Sequence, residues 1–445
     1  MPATVSSPGY EAAPASGPGP VLRSPGPTTT EREAANALAS LFRPAIRRVT
    51  LMLTTRCNLG CRYCYQRPAR PLSMSPAVTN AALDRFFSSP DAGHSIGLYG
   101  GEPLLEPGLV RLVVERVAAG VPSERSARVR IYTNGRLLDP ATAAGLARAG
   151  VFVSVSIDGL PAAQNDRDPG SFPAVDGFLL RQRRDHPSHF RDRVEARTTL
   201  TSRNVALLAS SVHYLLARGV RSLVVSPLVT HDPGWGDAEA RELDRQLAQL
   251  VTIVTSVRTD GDRPAFRPFA PLEAPAGGSP GAAPCGLGAR DTLFVDVDGT
   301  LAPCAFFARS TLGAAPPLAR AIAGVSPSPS VEDPDLHAAL ASRARGLALL
   351  PSLGPATGRR SHLGPCASCE ALPECFVCPA SIAFAPEQDP NLVPAIQCDW
   401  NRLVAKHRRA FLARAAARGE DGQRAGSSSS APATRAVTPA RIDGT

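Results

Sequence analysis

Three cysteines stand close together in the stretch "TTRCNLGCRYCYQ". Cys57, Cys61 and Cys64 are separated by three residues and then by two. A structural zinc ion needs four ligands, usually paired as C-x2-C, so three thiolates would have to borrow a fourth ligand from elsewhere. A 4Fe-4S cluster held by three thiolates leaves one iron without a protein ligand, and that iron can bind a small molecule. Three unrelated buried cysteines are the remaining alternative.

A second motif, "LYGGEP", follows the next predicted strand and contains Gly100, Gly101 and Glu102. Two glycines let the backbone approach a ligand closely, and the Glu102 carboxylate can accept hydrogen bonds from an ammonium group. The carboxyl ends of parallel strands meet at one edge of a sheet, where active sites lie. The motif and the cysteine loop are therefore predicted to share that edge, which favours the cluster interpretation.

Seven further cysteines lie in the last third of the chain. Cys285 and Cys304 flank "DTLFVDVDGTLAPC", which predicts a β-hairpin with an Asp-Gly turn. One closed zinc site would use four of the seven and leave three idle, whereas a set of four and a set of three would use them all. The other five cysteines are Cys366, Cys369, Cys375, Cys378 and Cys398.

These residues have to be positioned by a regular alternation of strands and helices that begins near residue 48. Six apolar, β-branched runs predict strands at 49–55, 95–100, 129–135, 151–159, 194–200 and 221–227. Stretches with helical periodicity separate them, and a further helix is predicted at about 237–257. The alternation predicts an α/β fold with a parallel sheet, either open or curled toward a barrel.

Length, composition and charge further limit the possible classes of fold, partner and location. The chain has 445 residues, of which 43% are hydrophobic and 20% charged, enough for a large core. Its formal charge of +9 is interspersed with acids and apolar residues, which favours a solvated basic surface over a nucleic-acid interface. No long apolar run or leader is present, so we expect a cytoplasmic protein whose cysteines are metal ligands or reactive thiols rather than disulfides. Residues 1–46 are predicted to be mostly disordered with one short helix, and residues 419–445 to be a disordered tail.

The C-x3-C-x2-C motif, with Tyr63 before its last cysteine, and the later G-G-E-P together resemble the radical S-adenosylmethionine enzymes. The resemblance implies a partial (β/α)6 TIM-like barrel over residues 47–260. It also implies that the iron left free by Cys57, Cys61 and Cys64 is chelated by the amino and carboxylate groups of S-adenosylmethionine. In that family the reduced cluster cleaves the sulfonium, and the resulting 5′-deoxyadenosyl radical abstracts hydrogen from a substrate.

Further candidate cofactor-binding residues come from the same resemblance. "SVSIDG" resembles the fourth-strand segment of peptide-modifying members, which would put Ser156 and Asp158 near the ribose or carboxylate of the cofactor; strand-end capping is the alternative. Arg167 occupies the place of an arginine that follows a His-Asp pair in those members, although the pair here is Asn-Asp. The full set of cofactor-binding candidates is Tyr63, Gly100, Gly101, Glu102, Ser156, Asp158 and Arg167.

The cysteine-rich region at residues 285–400 resembles the SPASM extension of radical enzymes, which binds two auxiliary 4Fe-4S clusters. Its last block departs from the pattern by one residue, having two rather than three residues between Cys375 and Cys378. No cysteine lies in the twenty residues before Cys285, so one cluster is expected to have an iron that is either open or held by another ligand. A linker is predicted at 261–284 and a C-terminal helix at 401–418. The resemblance assigns Cys285, Cys304 and Cys378 to the first auxiliary cluster, and Cys366, Cys369, Cys375 and Cys398 to the second.

The resemblance implies an enzyme that oxidatively modifies a ribosomally synthesised peptide or protein, for instance by a thioether or carbon-carbon cross-link. The implied partners are a precursor peptide or protein and an electron donor such as ferredoxin or flavodoxin. No N-terminal leader-binding domain is expected, which would assign that task to the barrel or to a separate protein. One alternative is a formylglycine-forming, sulfatase-maturase-like enzyme, but Ala305 stands where those maturases carry an aspartate base. The other is a non-catalytic iron-sulfur or zinc sensor or scaffold.

Overall fold

The computed structural model describes residues 46–67, 69–88, 95–120, 128–257, 263–270, 291–324, 329–336, 338–342 and 366–417. The predicted helix before the core, both predicted disordered ends and Cys285 lie outside these ranges. Within them, every helix is too short or too polar to cross a lipid bilayer.

One nine-stranded sheet organises the described residues. Its order is β7-β6-β5-β4-β3-β2-β1-β8-β9, and all neighbouring strands are parallel except β8 and β9. Because consecutive strands from β1 to β7 are also neighbours, the chain winds in one direction, as in a partial barrel. The predicted α/β class and the six predicted strands are confirmed. The strands are β1 Arg48–Thr54, β2 Ser95–Gly100, β3 Arg128–Thr133, β4 Phe152–Ser156, β5 Val194–Leu200, β6 Ser222–Pro227, β7 Ala265–Phe266, β8 Thr292–Val295 and β9 Leu301–Ala302.

Helices connect successive strands and begin where the sequence provides caps. Ser75 and Asp139 each accept a hydrogen bond from a backbone N–H in the first turn, and a proline follows each of them. The helices are α1 Pro76–Phe87, α2 Pro107–Gly120, α3 Pro140–Arg148, α4 Pro161–Gln164, α5 Phe172–Asp185, α6 Pro187–Arg193, α7 Leu208–Ala217, α8 Asp237–Ser256, α9 Pro317–Gly324, α10 Pro379–Ala383 and α11 Ala395–Ala417.

The core lies between the sheet and these helices. Strand residues such as Leu51, Leu98 and Ile131 are fully buried, and Leu243 and Leu247 of α8 are buried in the same hydrophobic cluster. Burying a side chain of this size stabilises the fold by about 1.5–3 kcal/mol, so the strand ends that carry the site rest on a rigid support.

Three features of the chain after α8 differ from the sequence-based boundaries. The predicted hairpin forms, but its first strand β8 also pairs in parallel with β1, so Cys304, which lies just after β9, is joined to the barrel sheet itself. Helix α11 crosses the predicted boundary at residue 400 and carries Cys398. It packs on α8, where His407 Nε2 lies 2.6 Å from a carboxylate oxygen of Asp244. The short strand β7 falls within the predicted linker and pairs with β6.

Candidate active site

The cysteine loop directly follows β1, at the carboxyl edge of the sheet. Cys57, Cys61 and Cys64 all line one cavity of about 400 Å³. The backbone N–H of Cys64 donates to the Cys61 carbonyl at 3.2 Å, which forms a turn that places the last two thiols on the cavity. Burial raises the pKa of the Cys61 thiol to about 11. The loop therefore holds thiols that would release protons on binding a metal.

Gly100 and Gly101 are required by the approach of β2 to the chain that enters the cysteine loop. A Cβ atom on Gly100 would lie 2.2 Å from the carbonyl oxygen of Thr54, and one on Gly101 would lie 2.2 Å from that of Arg56. Gly100 also has a φ of 147°, which favours glycine. The sequence predicted a close approach to a ligand; both glycines line the cavity, and the close approach that the structure shows is to backbone.

Glu102 lies behind the cavity wall and is fully buried. Its carboxylate accepts hydrogen bonds from the Thr133 hydroxyl at 2.8 Å, the Asn134 backbone N–H at 2.7 Å and the Leu104 backbone N–H at 3.1 Å. Burial raises the pKa of Glu102 to about 7, although these donors favour the charged form. The carboxylate thus joins the ends of β2 and β3, and its hydrogen bond to a cofactor ammonium stays a prediction.

Asn134 is a cavity residue that sequence reasoning missed. Its side-chain amide donates to the Asn58 side chain at 2.8 Å and lies 3.7 Å from the sulfur of Cys57. It therefore ties the cysteine loop to the end of β3. Its position in "YTNG", directly after the third strand and at the same edge as the motifs, was the signal that could have identified it.

Asp158 and Arg167 form a buried ion pair beside the cysteine loop. Two guanidinium nitrogens of Arg167 lie 3.1 and 2.8 Å from the two Asp158 oxygens, and the Thr199 N–H also donates to Asp158 at 3.0 Å. The guanidinium carbon of Arg167 lies 5.7 Å from the centre of the Tyr63 ring. Burial opposes the charge of Arg167, but Asp158 holds the pKa of the guanidinium above its usual range. Tyr63, Ser156 and Arg167 line the cavity, with Asp158 orienting Arg167.

Tyr65, Tyr99 and Phe306 form an aromatic wall of the cavity on the side of the second group of cysteines. The hydroxyls of Tyr65 and Tyr99 lie 3.3 Å apart, and the Tyr65 ring packs on Phe306 with ring centres separated by 4.2 Å. All three residues line the cavity, and Phe306 is two residues beyond Cys304. The wall thus fills the space between the two cysteine groups with buried apolar surface.

The later cysteines fall into two neighbourhoods. Cys304 and Cys378 pack against the same hydrophobic cluster of the C-terminal region. Burial raises the pKa of the Cys398 thiol, and the negative charges of Asp399 and of the thiolates of Cys366 and Cys369 raise it further. The thiols of Cys366, Cys369 and Cys398 therefore lie near one another. The assignment of these cysteines to two clusters stays a prediction, and Cys285 lies outside the described residues.

Metal-binding geometry can be judged only for the described part of the chain. There, no three His, Cys, Asp or Glu side chains are arranged to hold a single metal ion. Thiolates that bind a cubane cluster contact separate irons, so they need not converge on one point. The arrangement around the cavity is therefore compatible with a cluster.

A comparison with protein families bears on the cysteine loop and its sheet. Residues 51–205 match the family model described as the Radical SAM superfamily. This part of the chain is therefore similar to the radical SAM enzymes. The match covers β1 to β5 and contains the three-cysteine loop, both glycines, Glu102 and the Asp158–Arg167 pair. It ends before the C-terminal cysteines.

Solved structures resemble the fold over a longer part of the chain than the family model does. Native anSMEcpe with bound AdoMet and Cp18Cys peptide is matched over 84% of this chain and 100% of that chain, with a TM-score of 0.64 and 16% identity. SuiB of Streptococcus suis bound to S-adenosylmethionine is matched over 83% of this chain and 81% of that chain, with a TM-score of 0.51 and 15% identity. At these identities the likeness shows a shared fold.

Curated relatives match shorter stretches. An uncharacterized protein of Methanocaldococcus jannaschii is 27% identical over 183 residues, which are 40% of this chain and 61% of that protein. The GTP 3′,8-cyclase of Parasynechococcus marenigrum is 34% identical over 151 residues, which are 33% of this chain and 43% of that protein. The chain therefore spans between about two fifths and three fifths of the length of these relatives.

Proposed function

We propose that Cys57, Cys61 and Cys64 hold a 4Fe-4S cluster and that S-adenosylmethionine binds in the adjoining cavity. The observation that carries this proposal is the convergence of three thiols and the Gly100–Gly101 backbone on one cavity. Thiolates are the usual ligands of iron-sulfur clusters, and three of them leave an iron for a further ligand. A cavity of about 400 Å³ also lies within the size range of small-molecule sites.

When bound, the cluster and cofactor supply one-electron cleavage of S-adenosylmethionine and thereby a 5′-deoxyadenosyl radical. The chain supplies binding, orientation and exclusion of water. Ser156 and Arg167 offer a hydroxyl and a guanidinium to the polar groups of the cofactor, and Asp158 keeps the guanidinium in place. The Tyr65–Phe306 contact closes the opposite side with apolar surface.

The proposed substrate is a ribosomally synthesised peptide or protein, modified oxidatively at a side chain, for instance by a thioether or carbon-carbon cross-link. Support comes from the fold shared with anSMEcpe, which was solved with a peptide, over 84% of this chain. Two auxiliary clusters on the later cysteines, in the sets predicted above, would accept the electron that the substrate loses. A ferredoxin or flavodoxin as electron donor, a separate leader-binding protein and a cytoplasmic location belong to the same proposal.

GTP 3′,8-cyclisation is the second candidate, because several curated relatives carry that name. The charge of the cavity favours a peptide instead. Among the residues that line it, only Arg167 and Arg197 are basic, and Arg167 is already paired with Asp158. A triphosphate would ordinarily be held by several cationic groups. Formylglycine formation finds no support at Ala305, whose methyl group cannot act as a base.

The test is cofactor cleavage by protein that has been reconstituted and reduced without oxygen. Wild type is expected to form 5′-deoxyadenosine, measured by liquid chromatography and mass spectrometry. Replacing Cys57, Cys61 and Cys64 together by alanine should abolish formation and leave about eight irons per chain in the two auxiliary clusters. Unchanged cleavage by the triple variant would overturn the cluster assignment. A wild type that cleaves nothing and contains stoichiometric zinc would establish the non-catalytic alternative.

A further inference from the structure

The inner wall of the cavity contains a cation that the function proposed above does not use. We define this wall as Tyr99 on β2, Tyr132 on β3 and Arg197 on β5, all of which line the cavity. The guanidinium carbon of Arg197 lies 5.6 Å from the centre of the Tyr132 ring, and the rings of Tyr132 and Tyr99 pack edge to face at 5.8 Å. The aromatic faces hold the guanidinium in a defined orientation, and its side chain remains 39% exposed.

The charge on Arg197 is not balanced by its neighbours. Glu195, the nearby carboxylate, is almost fully buried and contacts both Arg130 at 2.9 Å and Arg197 at 3.2 Å. It also accepts a hydrogen bond from the Ser154 hydroxyl at 2.6 Å. Two guanidinium groups share one carboxylate, so the group carries a net charge of about +1. Of the two arginines, only Arg197 lines the cavity.

The charge of Arg167, the other basic residue that lines the cavity, is balanced by a carboxylate. Arg167 is buried and forms two hydrogen bonds with a carboxylate of its own, Asp158. Within the described part of the chain, the guanidinium of Arg197 donates only to Glu195, through Nη1. No Asp or Glu is among the residues that line the cavity. An anionic group entering the cavity would therefore find its unbalanced partner at Arg197.

We propose that Arg197 binds a carboxylate of the substrate peptide, either an Asp or Glu side chain or the C-terminal carboxylate. The inference rests on the peptide function proposed above. A guanidinium presents parallel N–H donors that match both oxygens of a carboxylate, and a single net positive charge suits a monoanion. The cofactor carboxylate can accept from the Ser156 hydroxyl and from Nη1 of Arg167, because Arg167 donates to Asp158 through Nε and Nη2. Arg197 is then left to the substrate.

The test compares acids with amides of the same shape. An array of fluorescent heptapeptides carries Asp or Asn, Glu or Gln at the central position, and a free or amidated C-terminus. Each is titrated by fluorescence polarisation into the anaerobically reconstituted full chain with S-adenosylmethionine present. Wild type should bind at least one acid about tenfold more tightly than its amide, because hydrogen bonds to charged groups are the stronger ones. The pair that shows the preference identifies the source of the carboxylate.

Arg197→Gln should remove that preference, and Arg197→Lys should keep part of it, because the charge remains without the planar pair of donors. In the Gln variant Glu195 keeps Arg130 as its partner, and thermal unfolding followed by circular dichroism checks that the fold persists. Arg184→Gln is the matched control, because Arg184 is exposed and contacts the neighbouring Asp185; it should behave as wild type.

Equal binding of acids and amides by wild type, or a preference that survives in Arg197→Gln, would overturn the inference. So would a Gln variant whose peptide preference is intact and whose affinity for S-adenosylmethionine falls about tenfold, because Arg197 would then hold the cofactor carboxylate. A wild type that forms 5′-deoxyadenosine without any acid preference contradicts this inference alone. A wild type that forms none contradicts the proposed function.

Discussion

The two cysteine groups are held by different kinds of structure. The first group follows β1, and backbone hydrogen bonds attach its entry segment to the next strand: Gly101 N–H donates to Thr54 O and Glu102 N–H to Arg56 O, both at 2.8 Å. In the second group, Cys366, Cys369 and Cys375 lie in consecutive short turns, and Cys398 lies on helix α11. Strand ends of one sheet thus position the first group, whereas short turns and a separate helix carry these four cysteines of the second.

This difference indicates how much the structure of each cysteine group depends on bound metal. Sheet hydrogen bonds and side chains such as Asn134 fix the first loop before any metal binds. The second group has turns and a small hydrophobic cluster, so we expect more of its stability to come from bound metal.

Gly101→Ala should have the largest effect on the first group. The new Cβ would lie 2.2 Å from the Arg56 carbonyl oxygen, so the entry to the cysteine loop must shift. We expect a loss of about 3 kcal/mol in the free energy of unfolding and at least a tenfold loss of 5′-deoxyadenosine formation. Gly108→Ala is the control, because nothing lies within 4 Å of its Cβ and it stands in the first turn of α2. Equal behaviour of the two variants would show that the loop does not depend on this approach.

Cys304→Ala and Cys398→Ala test whether the second group of cysteines is divided between two clusters. Each is predicted to impair one auxiliary cluster, so each variant should lose up to about four irons per chain, and the double variant about eight. Iron analysis and visible absorption after anaerobic reconstitution measure this. If Cys398→Ala keeps the wild-type iron content, Cys398 is not a ligand; if the double variant loses no more than either single variant, the two cysteines serve one cluster.

Glu102→Gln should change the pH dependence of the metal-free protein. Glu102 titrates near pH 4.5 in the unfolded chain and at about 7 in the fold, because burial disfavours its charge. Between these pH values the folded state binds more protons, so the free energy of unfolding falls as pH rises through this window and then levels off. The Gln variant should lack about 3 kcal/mol of that fall.

Urea unfolding at pH 5 and pH 8 measures this difference. Glu370→Gln serves as the control, since its carboxylate is 92% exposed. A Glu102 variant whose stability falls as much as that of wild type would contradict the role of burial.

Much of the fold was predictable because apolar periodicity and capping residues are local signals. The six strands β1 to β6 and the start of α8 at Asp237 agree with the sequence within a few residues. The three-cysteine spacing and the two glycines likewise identified the edge of the sheet that carries the cavity. At Gly101, however, the sequence indicated only that close approach was needed and left open whether a ligand or backbone made it.

The rest depends on contacts between distant segments. Nothing local in "VDVDG" predicts that β8 pairs with β1, because that pairing joins residues more than two hundred positions apart. In the sequence, nothing distinguishes Arg197 from other residues of a strand, because its contacts with Tyr132 and Glu195 form only in the folded protein. Tyr99 lies directly before Gly100, but its contact with Tyr65 needs the folded loop. The roles of such residues can be inferred only from the folded structure, in which the strands bring them together.

The central claim is that the three-thiolate group leaves an iron for S-adenosylmethionine. Electron paramagnetic resonance of the reduced protein tests it most directly, recorded before and after addition of S-adenosylmethionine. We predict that the cofactor changes the signal of one cluster in the wild type, and that this signal is missing in the variant with Cys57, Cys61 and Cys64 replaced by alanine. A wild-type spectrum that the cofactor leaves unchanged, or a cofactor-sensitive signal that persists in the triple variant, would contradict the account.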